Sequence, residues 1–272
     1  MSNTARQHNA RVVPIRPMPM PTLLPTDMPA PIRSLYVVPI QPTCSSCHLR
    51  EVCLPSGMTG SEMERLDDLT FGRRRIKAGQ ALYRQGDAFE FFFAIRGGTL
   101  KSNLTMADGR EQVSGFHIAG ELLGLDGVGH GSHGTTATAL EDSEVCAIPY
   151  ARVAQMTSAG GGSEPLISRL MSREIVREHS LLMLLGSMNA QERLAAFLLN
   201  LATRLKARGY SASEFHLRMS RAEIGSHLGL KLETVSRTFS AFQKQGLIAV
   251  DKRHIRIVDA DGLNRAFGMP IQ

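Results

Sequence analysis

Between Met219 and Leu247 the chain carries a run of local signals that leaves little choice of structure. Ser220 followed by Glu223 is a capping box, Ile224 and Leu228 supply an inward face, and Gly229 closes the helix in a tight turn. A second helix is predicted from about Leu232 to Gln245, with Val235, Phe239 and Phe242 facing inward. Two short helices around a glycine turn form a helix-turn-helix. Gly246 stops the second helix. Leu247-Ile-Ala-Val250 and Ile255-Arg-Ile-Val258 then alternate on either side of the polar Asp251-Lys-Arg253, so a hairpin completes a winged helix-turn-helix.

Such a second helix presents its N-terminal, outward residues to base edges in the major groove of double-stranded DNA. Glu233, Ser236 and Arg237 share one face, opposite Val235 and Phe239. Arg237 suits guanine O6 and N7, Glu233 suits cytosine N4, and Ser236 suits either kind of base. The competing reading is a solvated face with a Glu233–Arg237 ion pair at i,i+4. Lys231, Lys244, Lys252 and Arg253 are predicted phosphate contacts, which set position rather than sequence. Charge supports this: residues 189–272 hold 13 Lys+Arg against 7 Asp+Glu, whereas the remainder holds 18 of each. The whole net charge of +6 therefore sits in the last third, as expected for a polyanion partner.

The cysteines are the second constraint. Cys44, Cys47 and Cys53 fall within ten residues, and the fourth, Cys146, stands far downstream. Thiols this close oxidise or bind a soft metal centre. The N-terminus lacks the apolar core of a signal peptide and no uncharged run reaches transmembrane length, so the expectation is a cytoplasmic protein without membrane contact. There, structural disulfides are disfavoured. Zinc on Cys-x2-Cys with His48 is one metal reading, giving a zinc-stabilised structural knob; the x5 gap and the distant Cys146 favour an iron–sulfur cluster. Cys146 alone would read as a small buried hydrophobe. His130 and His133 have ligand-like spacing, but their glycine-rich surroundings predict an exposed loop.

Residues 1–42 hold nine of the thirteen prolines and read as an extended or disordered arm. A short helix is expected over 61–69, capped by Ser61 and Glu64. From Ile76 to Pro149, short apolar runs such as Phe91–Ile95 and Glu144–Ile148 are cut by glycines, the pattern of a β-roll or barrel. A long helix follows from about Glu164. At a 3.5-residue period, Met171, Ile175, Glu178, Leu182 and Leu185 form one coiled-coil seam, alongside more apolar residues than a seam needs. In a homodimer two copies of Glu178 would meet and weaken the pair.

A β-roll, a long helix and a winged module in that order resemble the CRP/FNR transcription regulators. Cys-x2-Cys-x5-Cys, the lone Cys146 in its strand and Glu-x-x-Ser-Arg on the second helix are similar to the oxygen-sensing FNR branch. The likeness covers about residues 44–268. It implies an α+β protein with a cyclic-nucleotide-binding-domain-like sensor. The parts expected are the arm (1–42), cluster loop and roll (43–163), dimerisation helix (164–189) and DNA-binding domain (190–272). It further implies a 4Fe-4S cluster on Cys44, Cys47, Cys53 and Cys146, dimers when the cluster is intact, TTGAT inverted repeats as targets, activation of anaerobic genes, and RNA polymerase as a partner. Two positions depart from the pattern: His48 stands where relatives have a small residue, and Arg110 replaces an acid in the turn associated with polymerase. Gly120-Glu121 begins a stretch resembling the superfamily's nucleotide pocket. Where that pocket carries Arg-Ser, this chain has about His133-Gly134, so no cyclic nucleotide is expected. An effector-sensing regulator and an iron–sulfur redox enzyme remain the alternatives. No nucleotide or flavin motif supports an enzyme, and no catalytic residue is assigned.

Overall fold

The apolar run from Phe91 to Ile95 is uninterrupted because the strand it forms is covered on both sides. Phe93 and Ile95 face the interior of the roll, while Phe92 and Ala94 face a layer of helices. The computed structural model describes residues 43–58, 60–69, 72–158 and 166–267. The proline-rich arm lies outside them. All the described residues fall within one compact unit.

In chain order the elements are α1 (Gly60–Asp67), β1 (Gly72–Ile76), β2 (Ala81–Tyr83), β3 (Phe91–Gly97), β4 (Thr99–Thr105), β5 (Glu111–Ile118), β6 (Leu122–Leu123), β7 (Thr136–Ala139) and β8 (Ser143–Pro149). They continue with α2 (Tyr150–Ser158), α3 (Leu166–Ser187), α4 (Ala190–Lys206), β9 (Glu214–His216), α5 (Arg221–Leu228), α6 (Leu232–Lys244), β10 (Ile248–Asp251), β11 (His254–Ile257) and α7 (Ala260–Phe267). The first helix already includes Gly60, so Ser61 stands in its first turn rather than at its cap.

Two four-stranded antiparallel sheets, β1-β8-β3-β6 and β2-β7-β4-β5, make the roll. Ile76, Leu82, Tyr83, Phe93, Ile95, Leu100, Val145 and Ala147 fill the space between them. Outside the first sheet, Phe92, Ala94 and Ile148 pack against Leu54, Leu66, Val153, Leu166 and Leu170. The turn into β4 requires glycine: Gly98 has φ +91°, and a Cβ there would overlap the backbone of Ser143.

The C-terminal end, from α4 onward, does not have a core of its own. Val113, Phe116 and Ile118 of β5 share one buried cluster with Leu194, Leu198, Ile224, Val235, Phe239 and Phe242. Polar contacts reinforce this: Lys101 Nζ lies 2.8 Å from Glu223 Oε1, and the Val113 N–H donates to Ser226 Oγ. Two imidazoles are sealed in the junction. Burial holds His227 down to about 4 and His117 well below its ordinary value, with Arg177 and Arg204 acting the same way on both. A histidine kept neutral by the fold binds its proton more weakly there than in the unfolded chain. Stability is therefore complete above pH 6.5 and falls as the pH drops from 6.5 toward 4. Acid unfolding followed by circular dichroism should show a loss in that window, blunted in His227→Gln.

Candidate metal centre and DNA-reading helix

The three clustered cysteines lie in a succession of tight turns, in which the amides of Cys47, Arg50, Val52 and Ser56 donate to the carbonyls of Cys44, Cys47, Leu49 and Cys53. Buried Leu49 and Leu54 anchor this loop, and the Ser45 N–H donates to Asp67 of α1 at 3.1 Å. Cys146 emerges from the middle of β8, between Arg73 of β1 and Ala94 of β3. Cys44, Cys53 and Cys146 pack against the same apolar layer outside the first sheet.

All four cysteines are free thiols. Burial, then Cys53 and Cys146, pushes the Cys44 thiol up to about 12. Burial pushes Cys53 up to about 12, with Arg208 acting against it, and raises Cys146, with Arg73 acting against that. Half-buried thiols of this kind ionise only beside a strong positive centre, so the donor set fits a thiophilic metal group. His48 is exposed, and among the described residues no three His, Cys, Asp or Glu side chains converge closely enough to hold one ion.

The loop also touches the rest of the roll. Gly120, at φ +86°, leaves room for Val52, whose side chain a Cβ there would meet at 2.8 Å. The adjacent Glu121 is held by α4 and the turn beyond it: Arg204 donates to both its oxygens at 2.8 and 2.5 Å, and Arg208 donates to Oε1 at 2.9 Å. Arg204 also donates to the Phe116 carbonyl. The carboxylate that marks a nucleotide pocket in the sequence is thus occupied by the protein's own guanidinium groups. Glu121→Ala should leave two part-buried cations unpaired and cost roughly 2 kcal/mol, discounted for their partial exposure. Thermal melting measures this.

His133 corrects the sequence expectation of an exposed loop. It is buried, stacked on Tyr83 with ring centroids 3.7 Å apart and edge-on to Phe89. Its glycine neighbours allow the chain to turn the ring inward, where aromatic stacking outweighs exposure. His130 is exposed.

On α3 the seam residues divide. Ile175 and Leu182 are exposed, the latter at 64%, together with Val176 at 62% and Met183. Met171 turns toward the apolar layer outside the first sheet, and Leu185 is half-buried. Residues 172, 173, 175, 176, 179, 180, 182, 183, 186 and 187 are exposed, so the open face of α3 repeats every seven residues. Glu178 borders this stripe, 3.9 Å from Arg177, which binds Glu174 at 2.8 Å.

At the other end, Ser220 caps α5 with both arms of its box formed by Glu223, and Gly229 adopts φ +62° after it. Glu233, Ser236 and Arg237 of α6 are all exposed, opposite buried Val235, Phe239 and Phe242, and no ion pair joins Glu233 to Arg237 among the described residues. Lys231, Lys244, Lys252 and Arg253 are exposed as well, and Arg253 also donates to the Arg218 carbonyl. Arg110 pairs with Asp108 in an exposed turn. Sequence reasoning missed Arg193, whose guanidinium donates to the carbonyls of Leu185, Met188 and Leu228 and so ties the end of α3 to the helix-turn-helix. It also missed β9, α7 and Arg221, which stacks on Phe239.

Comparison with known proteins gives a consistent picture. The Crp-like helix-turn-helix domain matches residues 192–266 and the cyclic nucleotide-binding domain matches residues 73–160. The transcriptional regulatory protein btr of Bordetella pertussis is 46% identical over 234 residues, 85% of this chain and 97% of its own length. The fumarate and nitrate reduction regulatory protein of Escherichia coli is 40% identical over 83% of this chain and 90% of its own. Among solved structures, FixK2 from Bradyrhizobium japonicum is 27% identical and superposes with a TM-score of 0.67, over 75% of this chain and 100% of that one.

Proposed function

As the chain belongs to the CRP/FNR superfamily of transcription regulators, on its FNR branch, we propose that it is an oxygen-responsive regulator holding a 4Fe-4S cluster on Cys44, Cys47, Cys53 and Cys146. The observation that supports this reading is that Cys44 and Cys53 of the loop pack against the same apolar layer as Cys146, a strand residue about ninety positions further on. When bound, the cluster supplies a redox-active, oxygen-sensitive tie between the loop and the roll. The four sulfurs hold it, and Leu49 and Leu54 fix the loop.

From there the chain's own contacts lead outward. Val52 rests on Gly120, Glu121 grips Arg204 and Arg208, and Arg193 joins the end of α3 to α5. The exposed stripe of α3 supports a homodimer through Ile175 and Leu182, with Glu178 at its border opposing association. Glu178→Ala should shift the cluster-free protein several-fold toward dimer in sedimentation equilibrium; an unchanged equilibrium would remove Glu178 from this role. The paired α6 helices then read TTGAT-type inverted repeats of double-stranded DNA through Glu233, Ser236 and Arg237 to control anaerobic genes. Lys231, Lys244, Lys252 and Arg253 position the duplex.

The division into a sensor over 43–163, a dimer helix over 164–189 and a reader over 190–272 belongs to the same proposal, as do RNA polymerase as partner and a cytoplasmic setting. No cyclic nucleotide is assigned, since stacked Tyr83 and His133 and the bound Glu121 occupy the corresponding region. Neither membrane contact nor catalysis is assigned; no helix among the described residues is long and apolar enough to cross a bilayer. The test is anaerobic purification, a visible spectrum, and binding to a TTGAT inverted repeat before and after admitting air. A colourless zinc protein whose DNA binding ignores oxygen would overturn the reading.

A further inference from the structure

On the outer face of the first sheet, Arg73, Cys146 and Ala94 stand side by side on β1, β8 and β3. Residues directly opposite one another in antiparallel strands emerge on the same face, with Cβ atoms about 5 Å apart. Arg73 is only 14% exposed, and its Nε is buried with no hydrogen-bond partner. The nearest carboxylate oxygen, Glu144 Oε1, lies 3.8 Å away, beyond hydrogen-bond reach, and already accepts from Arg96 at 2.9 Å. A buried guanidinium N–H without an acceptor is costly, and the residue paired with Arg73 across the ladder is Cys146. Ala94 on the other side of Cys146 is small and apolar and offers no competing side-chain acceptor.

We propose that Arg73 donates its Nε–H to the Cys146 sulfur when that sulfur is a thiolate ligand, and thereby sets the reduction potential and the air lifetime of the cluster. This rests on the cluster reading above. Hydrogen bonds to cluster sulfurs and nearby positive charge raise the potential, because the reduced form carries more negative charge. Without the donor, loss of an electron to dioxygen becomes easier.

The experiment compares full-length wild type, Arg73→Met and Arg75→Met, each purified without oxygen. Arg75 lies on the same strand and face but is 79% exposed, so it controls for loss of one charge. For Arg73→Met we expect the oxidised-to-reduced ratio at a fixed potential to rise about tenfold, a fall of about 59 mV for one electron, in a spectroelectrochemical titration. Its visible absorption should bleach in air several-fold faster, while Arg75→Met matches wild type. Equal midpoints and lifetimes in Arg73→Met and wild type would overturn the proposal, as would an equal shift in Arg75→Met. Should Arg73→Met not fold, Arg73→Lys keeps the charge but lacks the Nε–H; the same direction of shift supports the proposal, and an unchanged midpoint overturns it. Wild type without visible absorption would sink the cluster reading itself, an outcome distinct from the others.

Discussion

Cys146→Ala is expected to fold and yet lose the response to oxygen completely. The site tolerates a small side chain: β8 is held on both sides by β1 and β3, and its inward residues Val145 and Ala147 are untouched. Removing one partly buried sulfur costs about 1 kcal/mol of packing. With the proposed four-cysteine ligation, the loss for the metal centre would be total in kind, because the remaining three thiols belong to a loop that would no longer have a ligand on the roll. The variant should be colourless after anaerobic purification, sediment as a monomer, and bind the TTGAT repeat at least about 100-fold more weakly than anaerobic wild type. Circular dichroism should remain that of wild type. A variant that kept its visible absorption and its DNA binding would show that Cys146 is not a ligand.

The second large effect is expected at Arg237. A bidentate arginine–guanine pair contributes about 1–3 kcal/mol of discrimination, and a dimer on an inverted repeat makes it twice. Arg237→Ala should therefore lose about 2–6 kcal/mol on the specific site while binding to unrelated DNA changes little, as read by fluorescence anisotropy on both duplexes. Its side chain makes no ion pair among the described residues, so the fold should be unaffected. Equal losses on specific and unrelated DNA would demote Arg237 to a phosphate contact.

The DNA-binding module was legible because its signals are local. A cap at Ser220, its return arm at Glu223 and a left-handed Gly229 each speak for their own neighbourhood. The strands Phe91–Gly97 and Ser143–Pro149 were legible for a similar reason, since glycine turns bound them. What escaped depends on partners far along the chain. Glu121 meets Arg204 and Arg208 more than eighty residues away, and neither periodicity nor spacing announces it. His133 was misread because its glycines signal a loop, while the Tyr83 ring that receives it lies fifty positions earlier. The long helix shows a mixed case: the 3.5-residue rhythm was visible, but which residues the protomer covers itself, such as Met171, is decided by tertiary packing. Three-residue β9 is too short to carry an alternation and exists through its pairing with β11.

The grip of Arg204 and Arg208 on Glu121 has a consequence for ionic strength. Surface cations such as Lys231, Lys244, Lys252 and Arg253 release counterions when they meet phosphates. Eight such contacts in a dimer would make affinity fall with roughly the seventh power of salt concentration. The Glu121 contacts are mostly withdrawn from solvent, so dissolved ions screen them far less. Raising salt should therefore strip the protein from DNA while its sensor stays joined to its reader, leaving a free regulator still assembled for its next encounter.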